Sequence, residues 1–193
     1  MIDAIILAAG QGTRMKSNKA KVLHQIGGKS LLQHVVDAIN PLSASINIVI
    51  GNDAELVKNS INNHSINWVV QKKQLGTGHA VQQVKTGIKN KSTCIVLYGD
   101  VPLISTNTIK LLIDQSKLTG FSILSVTLDD PSGYGRIVRD KNKLIQAIIE
   151  HKDADDDKQK INEINTGIMA IQGSLLKKYI RQLEPNNKQG ELY

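Results

Sequence analysis

The chain has 193 residues, of which 40% are hydrophobic, 21% charged and only 3% aromatic, and its formal net charge is +7 at pH 7. This length fits one globular domain with a sizeable core, and the scarcity of aromatics means that Ile, Leu and Val must build most of it. The basic residues are scattered and aromatics are rare, which argues against a nucleic-acid partner and leaves phosphorylated small molecules as candidates.

The apolar segments and the cysteine content exclude further classes of protein. The longest N-terminal apolar run, AIILAA, is far shorter than a membrane span and is not preceded by the basic region of a secretory signal, so we expect no membrane association. The single cysteine, Cys94, excludes an internal disulfide and suits a reducing cytoplasm. Because it lies inside a predicted strand, we expect it in the core and not as a nucleophile.

Five apolar, β-branched runs predict strands, and segments with helical spacing follow the first four of them. The strands are AIILAA, INIVI, INWVVQ, TCIVLYGD and FSILSVTL. The helices are SLLQHVVDAIN, with Ser30 as its N-cap, then DAELVKNSIN, TGHAVQQVKTGI and STNTIKLLIDQSKL. Strands that are apolar throughout and alternate with helices predict an α/β fold with a doubly wound, mostly parallel sheet.

The pattern changes after Pro131, where the chain becomes richer in strands. GYGRIVRDKNKLIQAIIEHK predicts two strands joined by a turn at residues 140–142, and NTGIMAI predicts another strand. DADDDKQKIN predicts a charged surface segment, and GSLLKKYIRQL a helix capped by Ser174. We therefore expect a small β-rich substrate-binding insertion in this part of the chain.

Ligands of open α/β sheets bind in the crevice beyond the carboxyl ends of the parallel strands. That rule selects residues 10–14 after the first strand, 71–78 after the third and 98–100 after the fourth. These three segments are the candidate site before any chemistry is considered.

Two stretches resemble phosphate-binding motifs, but each lacks a glycine that its motif requires. GGKS at residues 27–30 ends like a P-loop, but that motif needs a glycine at position 23, which is Leu23. The stretch therefore predicts a glycine turn that leads into a capped helix. GQGTRM at residues 10–15 has Met15 where the third glycine of a dinucleotide fingerprint belongs, which disfavours a dinucleotide site.

What remains is a glycine-rich turn with Arg14 and Lys21 close behind it. Such a turn lets backbone N–H groups approach an anion, and the two cations suit a polyphosphate. The alternative is a tight turn with two solvated cations. Asp100 follows a buried strand, where one carboxylate plus substrate phosphates suits Mg²⁺, although a turn aspartate before Pro102 would have the same pattern.

Eight segments occur in an order that resembles one family: LAAGQGTRM, KVLH, QLGTGHA, LYGDVPL, DDPSGYGRIVR, IIEHKDA, EINTGI and QGELY. Together they resemble the bacterial N-acetylglucosamine-1-phosphate uridylyltransferases. More specifically, they resemble the N-terminal pyrophosphorylase domain of the bifunctional members, which also acetylate glucosamine 1-phosphate. The resemblance covers essentially the whole chain. The first segment is shared by many sugar nucleotidyltransferases, whereas QLGTGHA with GYGRIVR and EHKDA is much more specific.

This resemblance implies a fold and a reaction. The fold would be the Rossmann-like nucleotide-diphospho-sugar transferase type. The reaction would be Mg²⁺-assisted, with UTP and N-acetylglucosamine 1-phosphate giving UDP-N-acetylglucosamine and pyrophosphate by direct in-line attack on the α-phosphorus. The product would serve peptidoglycan and lipopolysaccharide synthesis in the cytoplasm.

The resemblance also implies a role for each matching position. Backbone contacts to the uridine nucleotide are implied for Leu7, Ala8, Ala9 and Gly10. Uracil recognition is implied for Gln71, Gly76 and Thr77. Contacts to the sugar nucleotide are implied for Tyr98, Gly99 and Asp100, the last also as the Mg²⁺ ligand. Binding of the N-acetylglucosamine moiety is implied for Gly135, Glu150 and Asn165. Arg14 and Lys21 would hold the triphosphate and stabilise the departing pyrophosphate, which makes them the candidate catalytic residues.

The sequence departs from the family pattern in places. Ala20 stands where the family usually has proline before the lysine. The family's metal site includes an asparagine well beyond the GELY segment, where this chain ends, and the acetyltransferase β-helix also lies beyond it. We therefore expect residues 1–193 to be a single nucleotidyltransferase domain, incomplete at its C-terminus. Full-length members form trimers through the β-helix, so we expect this chain to be a monomer or a weak oligomer.

Two alternatives to this function stay open. The chain could be a related sugar-1-phosphate nucleotidyltransferase with another base or sugar. It could instead be a nucleotide-binding fragment that does not turn over because it is truncated.

Arg14→Ala is expected to lower uridylyltransferase turnover by at least ~10²–10³-fold, because removal of a donor aimed at developing charge commonly has that effect. The fold should change little. Turnover by coupled pyrophosphate release is the measurement, and a nearly normal rate would count against the assignment.

Overall fold

The structure is a computed structural model that describes the whole chain except residues 11, 13–16, 18, 43, 52, 63–64, 186, 189 and 193. Its strands are β1 (Ile2–Ala8), β2 (Gln25–Ile26), β3 (Lys29–Ser30), β4 (Ser45–Ile50), β5 (Ile66–Val70), β6 (Thr93–Tyr98), β7 (Phe121–Thr127), β8 (Arg136–Arg139), β9 (Ile145–Ile149) and β10 (Glu163–Gln172). Its α-helices are α1 (Leu31–Ile39), α2 (Ala54–Asn59), α3 (Thr77–Val84), α4 (Thr106–Thr119), α5 (Asp156–Gln159) and α6 (Gly173–Tyr179).

The central sheet has the strand order β5-β4-β1-β6-β10-β8-β9, and β7 also pairs with β10. Strands β5, β4, β1 and β6 run parallel to one another. The long strand β10 is antiparallel to β6, β7 and β8, and β8 and β9 form an antiparallel pair. The predicted fold class, α/β with a mostly parallel central sheet and flanking helices, is confirmed. The β-rich part after residue 131 extends this same sheet.

Both faces of β1 are buried, which explains why its sequence is apolar throughout. Alternate side chains of a strand point to opposite faces. Ala4 and Ile6 accordingly pack in one core cluster, while Ile5 packs in the second. The first cluster includes residues of α1 and α4 and the second includes residues of α3 and α6, so helices cover both faces of the sheet.

Local sequence signals determine where the helix after the glycine turn begins. Ser30 caps α1 by accepting a hydrogen bond from the Gln33 amide at 3.1 Å, which confirms the predicted cap. Gly27 and Gly28 adopt φ values of 57° and 81° in the tight turn between β2 and β3. The prediction of a glycine turn before a capped helix is therefore confirmed, and the small hairpin β2–β3 is an addition to it.

The last helix begins earlier than its sequence suggested. Its N-cap is Gln172 and not the predicted Ser174. The reason is a close crossing: the Gly173 amide donates to the Ser92 carbonyl at 2.8 Å, and a Cβ at Gly173 would overlap the Lys89 carbonyl oxygen. The tertiary contact with the segment before β6 thus decides where α6 starts.

No helix in the described part of the chain combines the length and the apolar character that crossing a membrane requires.

Gly173→Ala is expected to destabilise the fold by roughly 1–3 kcal/mol, because the added methyl group meets backbone that must shift. Gly87→Ala is the control, since its Cβ would lie 3.6 Å from its nearest neighbour, the Val84 carbonyl oxygen. Urea denaturation midpoints measure both, and equal stabilities of the two variants would contradict the crossing.

Candidate functional site

A cavity of about 470 Å³ lies where the carboxyl ends of β1, β5 and β6 meet. This is the position that the crevice rule selects in a parallel sheet. Its lining comprises Leu7, Ala8, Ala9, Gly10, Gly12, Lys21, Val22, Gln71, Gln74, Gly76, Thr77, Ala80, Tyr98, Asp100 and Glu191.

Most of the candidate residues from the sequence line this cavity. They are Leu7, Ala8, Ala9, Gly10, Lys21, Gln71, Gly76, Thr77, Tyr98 and Asp100. Gly99, Gly135, Glu150 and Asn165 are not among its lining residues. Arg14 lies outside the described residues.

Glycines shape the turn that follows β1. Gly12 has φ +60°, and a Cβ there would lie 2.8 Å from the Cβ of Lys21, so only glycine lets these two segments approach. A Cβ at Gly10 would meet nothing within 4 Å. Gly10 therefore leaves open space at the cavity, and Gly12 allows Lys21 to lie beside it in the cavity wall.

A cation and a carboxylate face each other across the cavity wall. Lys21 begins a short 3-10 helix, and its Nζ lies 2.6 Å from Oδ2 of Asp100, which follows β6. Both side chains keep access to solvent, at 43% and 26% exposure. A pair this accessible contributes little to stability and can exchange its partners for a ligand.

Gly99 holds the end of β6 against β1. Its amide donates to the Leu7 carbonyl at 2.9 Å. A Cβ at Gly99 would lie 3.0–3.3 Å from atoms of Leu32, Val22 and Leu7. The structure thus places Gly99 behind the cavity wall, where it sets the position of Asp100.

The loop between β5 and α3 forms the opposite side of the cavity. Gln71 is only 3% exposed, and its Nε2 lies 3.3 Å from the Gly76 carbonyl and 2.9 Å from Nδ1 of His79. Gly76 has φ +104°, and a Cβ there would overlap the Leu192 carbonyl oxygen. The side-chain amide and the glycine together determine the shape of this loop.

Tyr98 lies between the cavity and a second group of residues. Burial raises the pKa of its phenol; a hydrogen bond with Thr77 opposes that rise, and the charges of Asp100 and Glu150 add to it. A Cβ at Gly167, where φ is +78°, would lie 2.5–2.8 Å from atoms of the Tyr98 phenol ring. This glycine, beside the irregular pairing of β10 between Asn165 and Met169, therefore makes room for the ring.

The second group is Gly135, Glu150 and Asn165, which we call the outer cluster. The Asn165 amide donates to the Gly135 carbonyl at 2.8 Å, and Oε1 of Glu150 lies 3.0 Å from where a Gly135 Cβ would be. Burial raises the pKa of Glu150, and the charges of Asp153 and Glu191 raise it further. The Gly167 amide donates to Oδ1 of Asn165 at 2.8 Å, and Gly167 lies against Tyr98, which lines the cavity, so the outer cluster adjoins the cavity.

The sequence patterns give no specific role at the site to Gln74, His79 or Glu191, although Gln74 lies within the selected segment 71–78. Gln74 Nε2 donates to the Ala9 carbonyl at 2.6 Å and so links the loop to the turn after β1. Glu191 reaches the cavity because the chain returns there: the Leu192 amide donates to the Leu75 carbonyl, and the Gly78 amide to the Leu192 carbonyl, both at 2.8 Å. The segments QLGTG and QGELY contain two of these residues, but nothing in their local pattern shows that they meet.

This arrangement suits phosphate chemistry without a protein nucleophile. Cys94 is fully buried, and burial raises the pKa of its thiol to about 12, so the expectation of a core cysteine is confirmed. Within the described ranges, no group of three His, Cys, Asp or Glu residues could hold a metal by itself. A single carboxylate, Asp100, still fits a divalent cation that takes its other ligands from phosphate and water.

Comparisons with known proteins identify the family of this chain. The family described as "MobA-like NTP transferase domain" matches residues 4–161. Proteins named "Bifunctional protein GlmU" from Vesicomyosocius okutanii subsp. Calyptogena okutanii (strain HA) and Ruthia magnifica subsp. Calyptogena magnifica are 53% and 50% identical over 192 residues. Both matches cover 100% of this chain and 42% of the relative, so the chain spans less than half their length.

A solved structure shares the fold. It is titled as UDP-glucose pyrophosphorylase complexed with UDP-glucose, and it superposes with a TM-score of 0.78 over 100% of this chain and 83% of its own. At 20% sequence identity the likeness concerns the fold alone.

Glu150→Gln is expected to raise stability at neutral pH. The folded pKa of Glu150 lies above its ordinary value, so ionisation opposes folding above the folded pKa, and the effect disappears below the unfolded value of about 4.3. Urea denaturation at pH 7 and pH 3.5 measures the difference, with exposed Glu55→Gln as control. A gain that persists unchanged at pH 3.5 would contradict the burial effect.

Proposed function

Because this chain belongs to the MobA-like NTP transferase domain family, and is thus a nucleotidyltransferase, we propose that it transfers a uridylyl group from UTP to N-acetylglucosamine 1-phosphate. The products would be UDP-N-acetylglucosamine and pyrophosphate. The observation that carries this proposal is the convergence of the turn after β1, the Lys21–Asp100 pair and the Gln71–Thr77 loop on one cavity, beside the outer cluster. The relatives named GlmU support this choice of substrates.

The nucleotide would occupy the cavity. The backbone of residues 7–10 lines it on one side, where main-chain N–H groups can face phosphate. Gln71, Gly76 and Thr77 line it on the other side and would contact uracil. A side-chain amide offers both a donor and an acceptor, which is the combination that a pyrimidine edge requires.

Lys21 would stabilise the charge of the leaving pyrophosphate together with Arg14. The ammonium group of Lys21 is held by Asp100 at 2.6 Å. A triphosphate carries more negative charge than one carboxylate, so its arrival would compete for this lysine. Lys21 is therefore kept at the site before the substrate binds.

Asp100 is the residue that would hold Mg²⁺, with substrate phosphates and water as the other ligands, as is usual for this ion. When bound, the ion would neutralise phosphate charge during the transfer. Release of Lys21 from Asp100 would free both partners for these tasks.

The sugar phosphate would bind at the outer cluster. Glu150 offers acceptor oxygens to sugar hydroxyls and Asn165 offers an amide, while Gly135, which has no side chain, lets the Glu150 carboxylate approach the backbone. A phosphate oxygen of N-acetylglucosamine 1-phosphate would attack the α-phosphorus of UTP directly, while the bond from that phosphorus to pyrophosphate breaks. Such a transfer needs alignment and charge neutralisation rather than a covalent intermediate.

The test is Mg²⁺-dependent pyrophosphate release from UTP and N-acetylglucosamine 1-phosphate. Lys21→Met should lower the rate by roughly 10²–10³-fold, because it removes a cation aimed at the leaving group. Lys29→Met is a matched control, since Lys29 pairs with Asp37 at the same 2.6 Å but neither residue lines the cavity.

Other results of this assay would support a different function for the chain. A preference for glucose 1-phosphate over the N-acetylated sugar would point to a related sugar-1-phosphate nucleotidyltransferase. Saturable UTP binding without pyrophosphate release would identify a nucleotide-binding module. An equal loss in Lys21→Met and Lys29→Met would remove the role proposed for Lys21.

A further inference from the structure

Arg136 is a buried charge whose partners are unusual. It begins β8 and is only 1% exposed. A buried guanidinium is costly unless acceptors surround it. No carboxylate in the described part of the chain forms an ion pair with Arg136. Hydrogen bonds from Ser132 lower the pKa of Asp130, and the positive charge of Arg136 lowers it further. The fold therefore retains this arginine without the usual acidic partner.

The guanidinium instead donates to neutral acceptors on three segments. Nη1 donates to the Tyr134 carbonyl in the loop before β8. Nη2 lies 3.3 Å from Nδ1 of His151, which must accept because a guanidinium has no lone pair to offer. Nε and Nη2 each lie 3.4 Å from the Gln159 carbonyl at the end of α5. Arg136 thus joins the loop, the turn after β9 and α5.

The first two of these segments carry two of the three residues of the outer cluster, Gly135 and Glu150. Tyr134 immediately precedes Gly135, and His151 immediately follows Glu150. The turn at Glu150 is itself closed by its carbonyl, which accepts from the amides of Asp153 and Ala154 at 2.9 and 3.0 Å. The guanidinium is planar and its donors have fixed directions. It therefore connects Tyr134 with His151, the chain neighbours of Gly135 and Glu150.

We propose that Arg136 is a positioning residue for the sugar-phosphate half of the reaction. By holding the Tyr134 carbonyl and the His151 ring together, it sets the distance and orientation of Gly135 relative to Glu150. It would act on the sugar only through these neighbours. Its hydrogen-bond partners Tyr134, His151 and Gln159 do not line the nucleotide cavity. This inference rests on the proposed function, because it assumes that the outer cluster binds the sugar.

Loss of the Arg136 guanidinium should weaken binding of the sugar part of the ligand and leave binding of its nucleotide part unchanged. Arg136→Met keeps an unbranched side chain of similar length but removes the donors. It should weaken binding of UDP-N-acetylglucosamine by about tenfold or more, since small misplacements of aligned groups have effects of this size. Binding of UDP, which lacks the sugar, should stay within about twofold. Arg136→Lys should recover part of the loss, because one ammonium cannot bridge three segments.

Arg139→Met is the matched control. Arg139 lies in the same strand but forms its ion pair with Glu163, at 2.7 and 2.6 Å, and does not bridge the loop and the turn. Isothermal titration calorimetry of the whole chain with Mg²⁺, UDP and UDP-N-acetylglucosamine gives the two affinities. Thermal unfolding of each variant separates loss of positioning from loss of folding.

The outcomes distinguish the two levels of proposal. If the unmodified chain binds neither nucleotide, the proposed function fails. If it binds both and Arg136→Met binds both equally well, or loses both by one factor, the positioning role is overturned while the function stands. If Arg136→Met does not fold, His151→Ala removes one acceptor and should weaken only the sugar nucleotide; unchanged binding there would overturn the proposal.

Discussion

The parallel pairing of β1 with β6 is the constraint on which the candidate site depends. Its register sets Leu7 opposite Tyr98, so the turn after β1 and the residues after β6 emerge side by side. The hydrogen bond from the Gly99 amide to the Leu7 carbonyl continues this pairing past the end of the strand. Lys21 and Asp100 can form a pair because these two chain segments emerge together.

Strand β10 connects this nucleotide half to the outer cluster. Toward its C-terminal end it pairs with β6, and at Ile164 it pairs with β8. Between these ladders, Gly167 gives space to the ring of Tyr98, and the neighbouring Asn165 binds the backbone of Gly135. A single strand with one irregularity therefore fixes how far apart the two halves of the site lie.

The charged side chains at the site can change partners when a ligand binds, and they contribute little to the stability of the fold. The Lys21–Asp100 pair is partly exposed, and Glu150 has a raised pKa because it is half-buried among other carboxylates. Arg136 shows the opposite arrangement, since it is fully buried and its guanidinium is satisfied by neutral acceptors. Accessible charges can change partners when a ligand binds, whereas a buried, multiply bonded one resists movement.

The sequence by itself determined the fold class and the edge of the sheet where the site lies. Strands that are apolar throughout require cover on both faces, and the ends of parallel strands meet at one edge. Short-range signals such as the Ser30 cap and the Gly27–Gly28 turn were also readable, because they depend on neighbours a few residues away.

Only the tertiary structure decided the contacts between segments far apart in the chain. The return of Glu191 to the cavity, the crossing at Gly173 that starts α6, and the three segments joined by Arg136 belong to this class. Glu191 lies in the segment QGELY and Arg136 in GYGRIVR, but no periodicity or local pattern shows which remote segments these residues contact. Such contacts arise when strand order brings remote chain segments together, and the chain's local pattern does not record that order.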